Sequence, residues 1–144
     1  MSVKQISIFV ENRPGAMHEM TNVLAENKID MRALSLAETE GFGIVRIIVD
    51  DAYEATTVLK EAGYINKLTP VVVVAIPDET GGLNKVLQLF TDNEINVDYM
   101  YAILGGKEIN EAYMIFKVDD PKKAESVLRA KGIRIVQQEE MAAL

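Results

Sequence analysis

The sequence has no cysteine, a single histidine and no surplus of positive charge, and each shortage removes a class of function. Without cysteine there are no disulfides and no thiol chemistry, which suits a reducing cytoplasm as the expected location. With His18 the sole imidazole, no His/Cys cluster of metal-ligand spacing exists, and no metal or other cofactor is expected. Neither a nucleophile elbow nor a Walker-type phosphate loop occurs, so no enzyme activity is expected. Lys and Arg total 15 against 22 Asp and Glu, a net charge of −7 that divides as −3 over residues 1–70 and −4 over 71–144. Nucleic acid and anionic membranes both require a basic surface, so neither is an expected partner. No apolar run reaches the ~20 residues of a membrane span, and the N-terminus lacks a basic-then-apolar signal pattern.

What the sequence does contain is a repeat. Shifted by 66 positions, Glu11-Asn12-Arg13-Pro14-Gly15-Ala16-Met17 falls on Pro77-Asp78-Glu79-Thr80-Gly81-Gly82-Leu83, and Asn27-Lys28-Ile29-Asp30-Met31 falls on Asn93-Glu94-Ile95-Asn96-Val97. Three positions further on, Val49-Asp50-Asp51-Ala52 meets Val118-Asp119-Asp120-Pro121, and Gly63 meets Gly132. A register held over that distance means two copies of one small domain, residues 1–70 and 71–144. Each is near the lower size limit for independent folding. Only Tyr64 to Pro70 join them, with no Gly/Ser run, so a taut connection is expected.

Each copy reads strand, helix, strand, strand, helix, strand. Gln5–Val10 and Val71–Ile76 are short β-rich runs. Helices follow with Met17, Met20 and Leu24, and with Leu83, Val86, Leu87 and Phe90, at helical spacing. Strands are expected over Met31–Ala37, Gly43–Val49, Val97–Leu104 and Ala112–Val118. The longer turn at Gly105-Gly106-Lys107 absorbs the three extra residues. The paired aspartates Asp50-Asp51 and Asp119-Asp120 should cap the second helices, with Pro121 in the first turn, and Gly63 and Gly132 should end them. Closing strands are expected around Ile65–Thr69 and Ile133–Gln138. The order βαββαβ is α+β and ferredoxin-like, an antiparallel sheet with both helices on one face.

The feature that recurs is a glycine turn feeding a helix. A helix start presents unpaired N–H groups and about half a positive charge, which suits a carboxylate. The plainer reading is that Gly15 and Gly81 only permit a tight strand-to-helix turn. His18, matched by Asn84, reads as a solvated residue.

Asn-Arg-Pro-Gly before an amphipathic helix, followed by Asn-Lys-Ile-Asp-Met at the next strand, resembles the ACT domain, a small regulatory fold that binds amino acids in many metabolic enzymes. Asp78-Glu79-Thr80-Gly81-Gly82-Leu83 and Asn93-Glu94-Ile95-Asn96-Val97 resemble the same pattern. The likeness covers essentially the whole chain as two ACT domains without a catalytic domain. It implies a non-catalytic regulator of a metabolic enzyme, binding a small amino acid and forming a homo-oligomer, expected to be a dimer. By the same resemblance Gly15, Ala16, Gly81 and Gly82 would hold the ligand carboxylate. Asn12 or Asp78 would assist, and Asp30 or Asn96 would take the ammonium.

Geometry adds a constraint. The Gly15 turn follows the top of one strand and Asp30 opens another after the helix has run back, a strand's length of roughly 17–20 Å away. One copy therefore cannot clamp both ends of an amino acid. The expectation is that the Gly15 turn pairs with Asn96 and the Gly81 turn with Asp30. Met17, Leu83, Met31 and Tyr99 are candidates to line such an interface, though each also reads as ordinary core.

Two alternatives compete. One is a ligand-free dimerisation module using its sheet edges. The other is an RNA-recognition motif, because Ile8-Phe9-Val10-Glu11-Asn12 and Gly41-Phe42-Gly43-Ile44-Val45 resemble its two consensus segments. Against it, Glu40 stands where a base is wanted, Ile44 replaces a stacking aromatic, and the second copy keeps neither segment.

Overall fold

The computed structural model describes residues 2–103 and 111–143. Its elements are β1 Val3–Glu11, α1 Ala16–Glu26, β2 Met31–Thr39, β3 Phe42–Val49, α2 Ala52–Glu61, β4 Asn66–Pro77, α3 Gly82–Asp92, β5 Val97–Ile103, β6 Glu111–Val118, α4 Pro121–Ala130, β7 Arg134–Val136 and α5 Gln138–Ala143. The turn expected at Gly105-Gly106-Lys107 lies outside the described residues.

The chain forms two compact units, Lys4–Thr69 with Met141–Ala143, and Pro70–Glu140 with the N-terminal residues through Val3. In the first, β3 lies antiparallel between β1 and β2, and the Phe9 N–H donates to the Ile65 carbonyl at 3.1 Å. In the second, β6 pairs antiparallel with β4 and β5, and β7 pairs antiparallel with β4.

Alternation builds each core. Ile6, Ile8 and Val10 on β1 share a face with Val45, Ile47 and Val49 on β3, and Met20, Leu24, Ala55 and Leu59 from α1 and α2 cover it. The second core repeats this with Val72, Val74, Ile76, Phe116 and Val118 beneath Val86, Phe90, Ala124 and Leu128. There the Phe90 and Phe116 rings meet edge to face, 5.2 Å between centroids. Both helices of each unit thus cover one face of an antiparallel sheet, the ferredoxin-like arrangement.

Local signals account for most helix ends. Asp51 accepts from the Glu54 N–H at 3.0 Å and Asp120 from the Lys123 N–H at 3.1 Å, capping α2 and α4. Their neighbours do something else, which corrects the expectation that both members of each pair cap. Asp50 accepts from the Asp30 N–H at 3.2 Å and Asp119 from the Asn96 N–H at 3.1 Å, fixing where β2 and β5 begin. Gly63 and Gly132 hold left-handed positions, with Tyr64 N–H to Leu59 O and Ile133 N–H to Leu128 O closing paired C-terminal caps. Helices α1 and α3 end the same way but place Lys28 (φ 57°) and Glu94 (φ 56°) at the glycine position.

Two expectations at strand ends are corrected. The strands expected around Ile65–Thr69 and over Val71–Ile76 are one twelve-residue strand, β4, which begins at Asn66, rather than two strands with a connection between. Pro70 causes no break there, because the broad extended region of backbone space reaches the φ of about −65° that proline imposes. Ile133–Gln138 is only partly strand. β7 has three residues, and Gln138 begins α5, whose Met141 is fully buried and whose Ala142 carbonyl accepts from Arg32 at 2.8 Å.

Candidate functional site

The two glycine turns are built alike. Gly15 (φ 85°) and Gly81 (φ 84°) precede α1 and α3 in the left-handed region, where side chains are disfavoured. A Cβ at either would meet nothing within 4 Å, so the backbone angle, not crowding, demands glycine at both. Gly82 is different: a Cβ there would stand 2.6 Å from the Pro77 carbonyl oxygen, although its counterpart in the first unit is Ala16. Neither α1 nor α3 has a side-chain cap, whereas α2 and α4 both do. Asn12 and Asp78 are exposed at the turns.

An ion pair staples each turn to its helix, with its polarity reversed between copies. Arg13 reaches Glu19 at 2.7 Å and Glu11 at 2.8 Å. The hydrogen bond to Glu19, then the one to Glu11, raises the guanidinium pKa, and the Arg13 hydrogen bond lowers that of Glu19. At the matching positions the second copy has Glu79 and Lys85, 3.7 Å apart. The signs have exchanged and the contact is looser.

Asp30 and Asn96 lie one residue before β2 and β5, exposed at the surface. Asp30 pairs with Arg32 at 3.1 Å. At the same two positions of the second unit, the Asn96 amide donates to Asp98 at 2.9 Å, and Lys117 meets Asp98 at 3.0 Å. The hydrogen bond from Lys117, then the one from Asn96, holds the Asp98 carboxyl below its usual range.

Register places each turn far from the strand start of its own unit. Glu11 is opposite Phe42 at one end of β3, and Met31 is opposite Val49 at the other. Pro77 and Val97 stand likewise opposite Glu111 and Val118 at the two ends of β6. Seven steps of strand at ~3.3 Å separate such points by about 23 Å. The structure thus groups Asn12, Gly15 and Ala16, and separately Asp78, Gly81 and Gly82, but brings neither group to Asp30 or Asn96 within its own unit.

A cleft of about 320 Å³ opens beside the second turn. Ala75, Ile76, Pro77, Val86 and Ile133 line it with Glu79, Gly82, Lys85, Glu111, Gly132 and Arg134. Arg134 projects from β7, bonded to Glu140, 3.4 Å from Glu111 and 6.0 Å over the Tyr113 ring. Burial disfavours its charge, but the bonds to Glu140 and Glu111 outweigh that and raise its pKa. Lys85, Glu111 and Arg134 went unmarked in the sequence. The signal that could have found them is the mismatch between copies, where Glu19, Phe42 and Ile65 occupy the corresponding places. A larger hollow of about 530 Å³ along Thr56, Lys60, Tyr64 and Asn66 contains none of the residues expected at the site.

The remaining candidates sort simply. Met17, Met31 and Leu83 pack against the cores, and His18 is exposed. Phe9 and Phe42 lie 5.8 Å apart, about two-fifths exposed. Among the described residues no group of three or more His, Cys, Asp or Glu could hold a metal ion, and no helix is long and apolar enough to cross a membrane.

Comparison with known families settles what kind of module this is. The family described as the ACT domain pair matches residues 1–144. The chain belongs to this family. A crystal structure of a protein from Bacteroides thetaiotaomicron is 33% identical, with a TM-score of 0.92 over 100% of this chain and 98% of that one. The regulatory subunit of aspartate kinase from Thermus thermophilus, in ligand-free form, is 20% identical, with a TM-score of 0.66 over 90% of this chain and 89% of that one. Its Thermus flavus counterpart is 18% identical, with a TM-score of 0.65 over 90% of each chain. At those two identities the likeness is one of fold. No curated protein sequence matches the chain. ACT domains are regulatory rather than catalytic, and the family match accounts for the βαββαβ order without an RNA-binding reading.

Proposed function

We propose that this ACT domain pair binds a small α-amino acid at a glycine turn and passes occupancy to a metabolic enzyme it regulates. The observation that carries the reading is the contrast in capping. Helices α2 and α4 satisfy their first N–H groups with Asp51 and Asp120, while α1 and α3, behind Gly15 and Gly81, have no side-chain cap. Uncapped helix starts suit a carboxylate. The ammonium would go to Asp30 or Asn96 of another module, in this chain or a second copy, because the register puts about 23 Å between turn and strand start within one module. The aspartate kinase subunits are regulatory by description, and the proposal gives this chain a comparable role. Coupling between ligand and enzyme partner is reciprocal, so the enzyme would also change affinity for the amino acid.

A thermal-shift screen against the twenty amino acids tests this. A ligand at a hundred times its dissociation constant contributes about 2.7 kcal/mol and raises the melting temperature. The shift should vanish in the double variant Asp30→Ala/Asn96→Ala. Absence of any shift would leave the second reading, a homodimerisation module. That reading draws on Leu34 and Leu36, 47% and 55% exposed on β2, at the free edge of its sheet.

A further inference from the structure

We propose that the two turns are unequal and that only the second holds ligand, an aliphatic α-amino acid bound as its zwitterion in the cleft of Glu79, Lys85, Glu111 and Arg134. This rests on the amino-acid reading above and specifies which turn, which residues and which class of side chain.

The two copies serve as each other's control, since one fold is built twice with different residues around its turn. In the first, Arg13 is consumed by contacts at 2.7 and 2.8 Å, the ordinary length of a charge-assisted bond. In the second, Lys85–Glu79 at 3.7 Å and Arg134 Nη2–Glu111 at 3.4 Å are both slack, while Arg134 Nη1 stays bonded to Glu140. A carboxylate entering the cleft can replace a slack partner on Lys85 and on Arg134 with little loss. The first copy offers Glu19 and Ile65 at those two positions, one repelling an anion and the other unable to bond it.

The same residues favour a zwitterion over a simple anion. Glu79 and Glu111 share the cleft with the two cations, so a third negative charge enters against repulsion unless it brings an ammonium with it. Ile76, Val86 and Ile133 supply the apolar wall for the side chain. The cleft therefore fixes the carboxylate and side chain, and the ammonium, on the carbon next to the carboxylate, faces the mouth close enough to Glu79 and Glu111 to offset their charge.

Calorimetric titration of the whole chain with L-leucine, L-valine and L-isoleucine tests the assignment. 4-Methylpentanoate, without the ammonium, and 3-methylbutylamine, without the carboxylate, serve as controls. The expected result is one equivalent of an aliphatic amino acid per chain and no binding of either control. Lys85→Glu/Arg134→Ile, which copies the first turn into the second, should weaken binding by about tenfold or more. The milder Lys85→Gln/Glu79→Gln, which keeps size and net charge, should weaken it in the same direction and guards against a folding defect in the first variant. Glu19→Lys, in the opposite turn, should leave binding unchanged.

Two equivalents per chain, or unaltered affinity in both cleft variants, would overturn the cleft assignment while leaving amino-acid binding intact. Binding confined to charged or aromatic amino acids would overturn the aliphatic class. If none of the twenty amino acids bound the unaltered protein, the functional reading itself would fail.

Discussion

Gly82→Ala is the sharpest test of how the second turn is packed, because the same substitution is already present at the matching position of the first. A Cβ on Gly82 would lie 2.6 Å from the Pro77 carbonyl oxygen, about 0.8 Å inside ordinary contact. The obstacle is backbone, and the Pro77 carbonyl also accepts the Glu79 N–H at 2.9 Å, so it cannot retreat without disturbing the turn. Overpacking of this kind costs about 1–3 kcal/mol. Lower entropy of the unfolded chain returns about 0.4–1 kcal/mol of that. The expected net loss is about 1–2 kcal/mol, and at about 2–4 °C per kcal/mol for a chain this size the melting temperature should fall by roughly 2–8 °C. Urea unfolding followed by circular dichroism measures it, with the transition of the second module fitted separately if the two modules unfold apart. Ala16→Gly in the first module is the control and should cost no more than about 1 kcal/mol. If Gly82→Ala proved as stable as the parent, or less harmful than Ala16→Gly, the claim that Gly82 is held by close approach would be wrong.

Three further outcomes follow from particular contacts. Lys28→Gly and Glu94→Gly should each stabilise, by up to about 1 kcal/mol, because both side chains occupy left-handed positions that cost a non-glycine residue about 1–2 kcal/mol, partly offset by unfolded-chain entropy; equilibrium unfolding would show it. Arg13→Glu should weaken the first turn and the added change Glu19→Lys should restore it, reproducing the polarity of Glu79 and Lys85, with the rescue fading at high salt; a double-mutant cycle checks this. The Asp98 carboxyl titrates below its unfolded value of 3.8, so its contribution is complete above that pH and disappears as the pH falls through the lowered folded value. Asp98→Asn should therefore be less stable than the parent at neutral pH and indistinguishable from it in strong acid, as unfolding curves across that range would register.

Much of this fold could be read before any coordinates. The order βαββαβ, the glycine turns, the capping by Asp51 and Asp120 and the helix stops at Gly63 and Gly132 all depend on residues within a turn or two of each other, and the 66-residue repeat shows that pattern written twice. Side-chain alternation and capping act at that range, so the pattern is written locally. Short-range reasoning misjudged places where two local signals compete: Pro70 looked like a joint but fits an extended strand, and Asp50 looked like a cap but ties the start of β2.

Tertiary structure alone decided what surrounds the turns. Strand pairing places Glu111 of β6, opposite Pro77 of β4, beside a turn thirty residues earlier in the chain, and β7 delivers Arg134 to the same cleft from later still. Such meetings are set by register, and register is chosen by the whole buried face at once, because a slip of one residue would turn every core side chain outward. The sequence could therefore announce two similar modules. The mismatch between copies marks Lys85, Glu111 and Arg134 one by one, but that they meet around one turn becomes visible only when distant strands are laid side by side.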